Sequence, residues 1–480
     1  MIMNDKIRKG YKWTSISIFG QYILQTIVFL IIAREIGPEK VGAVAGAMVV
    51  INFTRIFVEL GFPQSLVQRD NINFNDVLLV MSFMTFTSLT FMSLLYLFKG
   101  FFGELFNSAD VVMILPVLSV ILLVNAISMP LVSFLQRNLL FKHLTFINVL
   151  SSVFSFPILG LYLCYNGYGI WSLVFSNISF LSITMICALI ITLRDRELKF
   201  NLELRRLKVH NDFTIYFTSA RLANYIALEF DNFIVGWKFG VTTLGVYSRA
   251  YQLMTLPATL IGTIGDKVLF PVFSRLKKQE IKNHIYIALF KLSLFAIPIS
   301  ALVIAQSDLI VFMLLGSKWL DVAPILSILS ISLYFRIATK FIDATIRSLG
   351  LVKERAKKQY IYAFVIITLV SLASYKGIIL VAYAVVSAII FNYFQMLNML
   401  SYNVGLRSLS IFKANAIHSI ISILSVFLIN LYLELNIEHS FLLNFKSIFI
   451  YSVLFMVLYF AILNFYKFSW RKLKPHREKR

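Results

Sequence analysis

The sequence predicts an all-α polytopic membrane protein with about fourteen transmembrane helices, arranged as two six-helix lobes followed by two more helices. Three observations predict it. Of 480 residues, 59% are hydrophobic and 14% charged, where a soluble domain carries about 25% charged residues. The mean hydropathy is +0.80, and uncharged runs recur along the chain at the ~20-residue length that a helix needs to cross a bilayer. Glycine and arginine landmarks of the first half return in order in the second. A soluble multidomain enzyme, a disordered chain and a disulfide scaffold are excluded.

The elements follow in chain order. Lys6, Arg8, Lys9 and Lys12 precede an apolar run from Trp13 to Ala33. That start is similar to a signal peptide, but the run is too long for one and lacks a small-x-small cleavage site, so it reads as a retained first span. Further runs lie at 41–61, 76–98, 111–136, 144–165, 168–193, 213–236, 243–271, 285–305, 322–347, 359–375, 377–400, 412–433 and 444–466. Pro116, Pro130, Pro157, Pro257 and Pro298 lie within runs and predict kinks, because each removes a helix hydrogen bond. The longest hydrophilic stretch, Arg194–Asp212, interleaves basic residues with Leu198, Phe200, Leu202, Leu204 and Leu207, the pattern of a linker lying on a membrane surface. The expected organisation is an N-terminal lobe (1–193), the linker (194–212), a C-terminal lobe (213–400), two additional helices (401–466) and a basic tail (467–480).

Charge sets the orientation. Lys and Arg number 45 against 23 acidic residues, a net +22. With the N-terminus inside, 31 basic residues fall in cytoplasmic segments and seven on the other side. This asymmetry follows the positive-inside rule and puts both termini in the cytoplasm. Basic residues so placed give no ground for a nucleic-acid partner. Cys164 and Cys187 sit singly in apolar runs, and no two histidines have the i, i+4 spacing of a helical metal site. No metal or other cofactor is expected.

The lobes read as a duplication. At an offset of 203, Tyr22-Ile23 matches Tyr225-Ile226, Gly37 matches Gly240, and Gly42 matches Gly245. Later, Phe62-Pro63 pairs with Phe270-Pro271, and Arg137 with Arg347. Each half begins inside and has six spans, so the repeats are parallel, about an axis along the membrane normal.

Three segments carry a family resemblance. One is Phe134-Leu-Gln-Arg-Asn-Leu-Leu-Phe-Lys142 followed by Gly167-Tyr-Gly-Ile-Trp-Ser-Leu-Val174. Another is Leu244-Gly-Val-Tyr-Ser-Arg-Ala-Tyr-Gln-Leu253 running on to Val268-Leu-Phe-Pro-Val-Phe-Ser-Arg275. The third is Leu314-Leu-Gly-Ser-Lys-Trp319 before Ala323-Pro324. In this order they make the chain similar to the multidrug/oligosaccharidyl-lipid/polysaccharide exporter superfamily. Within it, the chain resembles the bacterial polysaccharide flippases of the Wzx type, over nearly its whole length. The resemblance implies a MATE-like fold, with two lobes facing a central cavity that opens alternately to each side of the bacterial inner membrane. It implies a cargo, an oligosaccharide repeat unit on undecaprenyl diphosphate, flipped from the inner to the outer leaflet for exopolysaccharide or O-antigen synthesis. The polysaccharide polymerase and chain-length machinery are the expected partners, and H+ or Na+ coupling is expected from carboxylates set inside spans. The last two spans resemble a pair that forms a lipid-facing groove in the related lipid II flippase.

Ionisable groups inside spans cost about 2.5–3.5 kcal/mol or more each and mark functional positions by default. Arg55 and Glu59, four residues apart, share a helix face. Two readings stand: a structural ion pair, and a cavity cation such as the lipid II flippase carries on or beside this position. Gln252 stands where that flippase has a cavity arginine in an Ala-x-Arg-Leu-Met-x-x-Pro stretch, and Arg249, on the same face, is the candidate substitute. Glu229 and Asp231, two residues apart, cannot share one face; one of them is a candidate partner of Arg221, and Asp231 is a coupling candidate.

Arg336, Lys340, Asp343 and Arg347 form one stripe at i, i+4, i+7 and i+11. Asp343 is expected to neutralise Lys340, and Arg347 to reach water. Arg336 then needs an anion: Glu59, Glu229, Asp231 or a passing diphosphate. The candidate cargo contacts are Arg55, Arg249, Gln252, Arg336 and Lys340, and the coupling candidates Glu59, Glu229, Asp231 and Asp343. The alternative within the superfamily is an ion-coupled small-molecule exporter, but the excess of basic groups in the spans favours an anionic cargo. An enzyme is not expected. The longest outer loop, about Gln306–Asp321, is short, and no clustered histidines or paired carboxylates suggest a catalytic site.

Overall fold

The structure is a computed structural model that describes residues 20–68, 72–193, 211–264, 269–406, 408–436 and 445–473. Among these residues the regular structure is helical throughout, the arrangement that satisfies backbone groups in hydrocarbon without an open sheet edge. The protein is a multi-pass membrane protein: among the described residues nine helices are long and apolar enough to cross a bilayer, and one bent pair makes a tenth. The expected spans at 13–33, 213–236, 243–271 and 444–466, which are not among these, coincide with helices over the described residues. The N-terminal lysines and arginine, linker residues 194–210, Asp266, Lys267 and the tail from residue 474 lie outside the described residues.

Contacts divide the chain into two compact units, Met1–Ser248 and Arg249–Arg480. The first holds α1 (residues 20–36), α2 (Pro38–Glu59), α3 (Phe62–Gln68), α4 (Phe74–Leu97), α5 (Lys99–Leu105) and α6 (Ala109–Arg137). It continues with α7 (Phe141–Tyr165) and α8 (Ile170–Leu193). The helical stretch Asn211–Ile264 breaks at Gly240 into α9 (211–239) and α10 (241–264), and the division between the units falls inside α10. The second unit continues with α11 (Phe270–Phe273), α12 (Lys278–Ala305), α13 (Ser307–Leu315), α14 (Val322–Ser330) and α15 (Leu333–Ser348). It ends with α16 (Val352–Ala373), α17 (Ile378–Val404), α18 (Ser408–Asn436) and α19 (Phe445–Leu473).

The duplication is visible in this order. α1–α8 and α9–α17 run through the same sequence of long and short helices, with α14 and α15 together answering α6. The short helices α3, α5, α11 and α13 are local features that apolar runs do not announce. Gly37 and Gly240 open equivalent helices with matching dihedrals, φ 82°, ψ 171° and φ 79°, ψ 174°, a left-handed region that favours glycine. In the first unit, a Cβ on Gly42 would meet the carbonyl of Val241, and a Cβ on Gly245 the carbonyl of Pro38. The two contacts exchange under the 203-residue offset, so α2 and α10 cross backbone to backbone with local two-fold symmetry.

Proline does not interrupt the long helices. α6 stays one helix through Pro116 and Pro130, and α12 through Pro298. Around Pro157, residues Phe154–Gly160 widen into a π segment, which accommodates a missing donor. The 47° bend between α14 and α15 has no proline. There the Ser300 hydroxyl donates to the Ser330 carbonyl, and Ser332 N bonds the Leu329 carbonyl in a tighter turn at 3.0 Å. Many buried hydroxyls bond back into their own helix, as Thr54 does to the Val50 carbonyl at 2.8 Å and Ser176 to the Ser172 carbonyl at 2.6 Å, which satisfies the hydroxyl without a second helix.

Candidate functional site

The ionisable side chains fall into two groups, one in each unit. In the first, Glu59 is 2% exposed at the end of α2. Its carboxylate lies 3.5 Å from Arg55 Nε and accepts from Arg221 Nη1 of α9 at 2.6 Å. One turn beyond Arg221, the Tyr225 hydroxyl donates to the Val49 carbonyl at 2.6 Å, a second tie between α9 and α2. The expected pairing of Arg221 with Glu229 or Asp231 gives way to Glu59: eight residues along one helix is about 12 Å, while Glu59 faces Arg221 directly from the neighbouring helix.

Glu229 and Asp231 point apart, as their spacing dictates. Glu229 accepts from Asn232 Nδ2 at 2.9 Å. Asp231, 1% exposed, accepts from the Tyr247 hydroxyl at 2.7 Å and from the Asn232 backbone N–H at 2.9 Å. Tyr247 belongs to α10, so Asp231 ties the two arms on either side of Gly240 together.

In the second unit, Arg249 Nη1 donates to the side-chain oxygen of Gln252, so the two residues expected to share a face do meet. Two cations of the α15 stripe reach onto α10. Arg336 Nη1 donates to the Tyr251 hydroxyl at 2.8 Å, and its guanidinium lies 4.7 Å from the Tyr251 ring centroid. Lys340 Nζ donates to the Ala258 carbonyl at 3.3 Å.

Asp343 does not follow Lys340. It accepts from Arg347 Nε at 3.0 Å and from Arg355 of α16. Lys340 turns to α10, whereas Arg347 lies one turn along the stripe and Arg355 is returned by the turn at Gly350, φ 76°. Arg347 also lies 5.5 Å from the Phe270 ring centroid.

Sequence reasoning missed Tyr251, Arg355 and the full role of Arg221. Only Tyr251 left a trace, as the neighbour of Gln252 in the motif-bearing stretch. Among the described residues no group of three or more His, Cys, Asp or Glu side chains could hold a metal ion. The charged groups held among the helices are guanidinium, ammonium and buried carboxylate, and each has a polar partner described above.

Comparison with known proteins places this geometry in context. Residues 31–324 match the family described as polysaccharide biosynthesis protein. The teichuronic acid biosynthesis protein TuaB of Bacillus subtilis (strain 168) is 26% identical over 331 residues, 68% of this chain and 68% of that protein. The lipopolysaccharide biosynthesis protein WzxC of Escherichia coli (strain K12) is 19% identical over 345 residues, 69% of this chain and 68% of that protein. A solved structure of the lipid II flippase MurJ in an inward closed conformation shares the fold, with a TM-score of 0.77, 17% identity, and coverage of 96% of this chain and 99% of that one.

Proposed function

The chain belongs to the polysaccharide biosynthesis protein family, and from that premise we propose that it flips an undecaprenyl-diphosphate-linked oligosaccharide repeat unit from the inner to the outer leaflet of the bacterial inner membrane by alternating access. Both termini lie in the cytoplasm, and the cargo feeds exopolysaccharide or O-antigen synthesis through the polymerase and chain-length machinery. One observation carries the reading: Arg336 and Lys340, one turn apart on one face of a membrane helix, both held on α10. Arginine binds phosphate through two parallel hydrogen bonds and keeps its charge, while lysine adds a point charge. Arg55, beside Glu59 in the first unit, and Arg249, on Gln252 in the second, are further candidate cargo contacts. Asp231 and Glu229, carboxylates deep in α9, are the groups through which a proton or sodium gradient acts.

Complementation of a flippase-deleted strain tests the cargo. Arg336→Ala should lose polymer export with a normal protein level in the membrane, and Arg336→Lys should keep part of it. Export at the parental rate from Arg336→Ala would show that the stripe is structural. For coupling, Asp231→Asn and Glu229→Gln should abolish the response of transport in vesicles to an imposed gradient, and a full response in both would place coupling elsewhere.

A further inference from the structure

Tyr251 and Gly262 have no place in the reading above, yet both shape the α15 stripe. Arg336 and Lys340 are four residues apart, about 6 Å along α15. Their anchors on α10, Tyr251 and Ala258, are seven residues apart, about 10 Å. α10 thus fans the two cations apart, which opposes the repulsion of like charges one turn apart.

Each anchor has its own device. Tyr251 offers Arg336 both a hydroxyl acceptor at 2.8 Å and a ring face at 4.7 Å, fixing the plane as well as the place of the guanidinium. Gly262, one turn beyond Ala258, leaves a gap in α10. A Cβ there would strike Lys340 Cδ and come within 3.0 Å of Nζ and 3.1 Å of Cε. The lysine stem lies in that gap on its way to the Ala258 carbonyl.

We infer that Tyr251 and Gly262 are positioning residues that set the spacing and orientation of Arg336 and Lys340 for a diphosphate head group. The inference rests on the diphosphate reading of those two cations. Tyr251 acts through Arg336, and Gly262 through Lys340; neither touches the cargo.

The test is binding of a polyprenyl diphosphate to the purified protein in nanodiscs, with flipping rate measured beside it. Tyr251→Phe, which keeps the ring and removes the acceptor, should weaken binding about tenfold. Tyr251→Leu, which removes both, should weaken it about threefold more. Gly262→Ala should weaken binding by less than Lys340→Ala, because it displaces the ammonium without removing its charge, and the double variant should bind no more weakly than Lys340→Ala alone, because both changes act on one interaction.

Alanine favours a helix over glycine. If Gly262→Ala alone disturbs the fold, the cause is the clash with Lys340, and adding Lys340→Ala should restore the protein; a double variant that stays misfolded overturns the inference. Wild-type binding by Tyr251→Phe and Gly262→Ala, while Arg336→Ala and Lys340→Ala bind weakly, overturns it and leaves the diphosphate reading intact. Wild-type binding by Arg336→Ala and Lys340→Ala overturns the diphosphate reading itself. Additive losses from Gly262→Ala and Lys340→Ala overturn the assigned role of Gly262.

Discussion

α6 and the α14–α15 pair hold the same place in the two repeats, and they differ in two ways. α6 is one unbroken helix of 29 residues, whereas α14 and α15 are bent by 47°. Aligned through Arg137 and Arg347, the first repeat has Ala126, Pro130 and Ser133 where the second has Arg336, Lys340 and Asp343. All three residues of α6 are buried among other helices. The helix of this position therefore forms and packs without charge, so its charges in the second repeat are not a demand of the scaffold. Only the terminal arginine is common. Arg137 donates to the carbonyls of Leu66 and Val67 at the end of α3, and Arg347 reaches the Phe270 ring of the equivalent α11. That shared reach is architectural; the three inner charges are not shared between the repeats.

Exchanging residues between the two helices breaks or sharpens this comparison. The largest effect belongs to Ala126→Arg. Ala126 is 0% exposed, so the new charge costs about 3 kcal/mol for its place in a span and about 1–3 kcal/mol for overpacking. Little monodisperse protein should survive detergent extraction, and a normal elution profile would show that α6 tolerates what α15 carries.

Next comes Asp343→Ser, which gives α15 the residue of α6. It removes the carboxylate shared by Arg347 and Arg355, whose side chains are 31% and 32% exposed against 18% for Asp343. Partial exposure limits the loss to about 1–2 kcal/mol, read as a lower thermal midpoint in detergent; an unchanged midpoint would make the cluster incidental. Smallest is Arg137→Ala, which loses two long hydrogen bonds of 3.4 Å, worth no more than about 1 kcal/mol together. A drop larger than that of Asp343→Ser would reverse the order of the two helices.

The spans were legible because hydrocarbon thickness imposes a length and a composition on any helix that crosses it. The duplication was legible because Gly37 and Gly240 need the same left-handed dihedrals, so the turn could not drift in sequence. The faces were legible too: Arg55 with Glu59, Arg249 with Gln252, and the divergence of Glu229 from Asp231 follow from helical spacing alone.

The choice of partner was not. Arg336 bonds a residue 85 positions away, Lys340 one 82 away and Arg221 one 162 away, and helical periodicity says nothing about which neighbouring helix a face will meet. The bend between α14 and α15 is equally silent in the sequence, since no proline marks it and the Ser300 hydroxyl of α12 meets the Ser330 carbonyl there. A membrane sequence by itself determines where its long apolar helices lie, how they repeat and which side chains share a face, because bilayer thickness and helical geometry act on each segment alone. Only the tertiary structure decides which charge meets which group, because that depends on the packing of segments far apart in the chain.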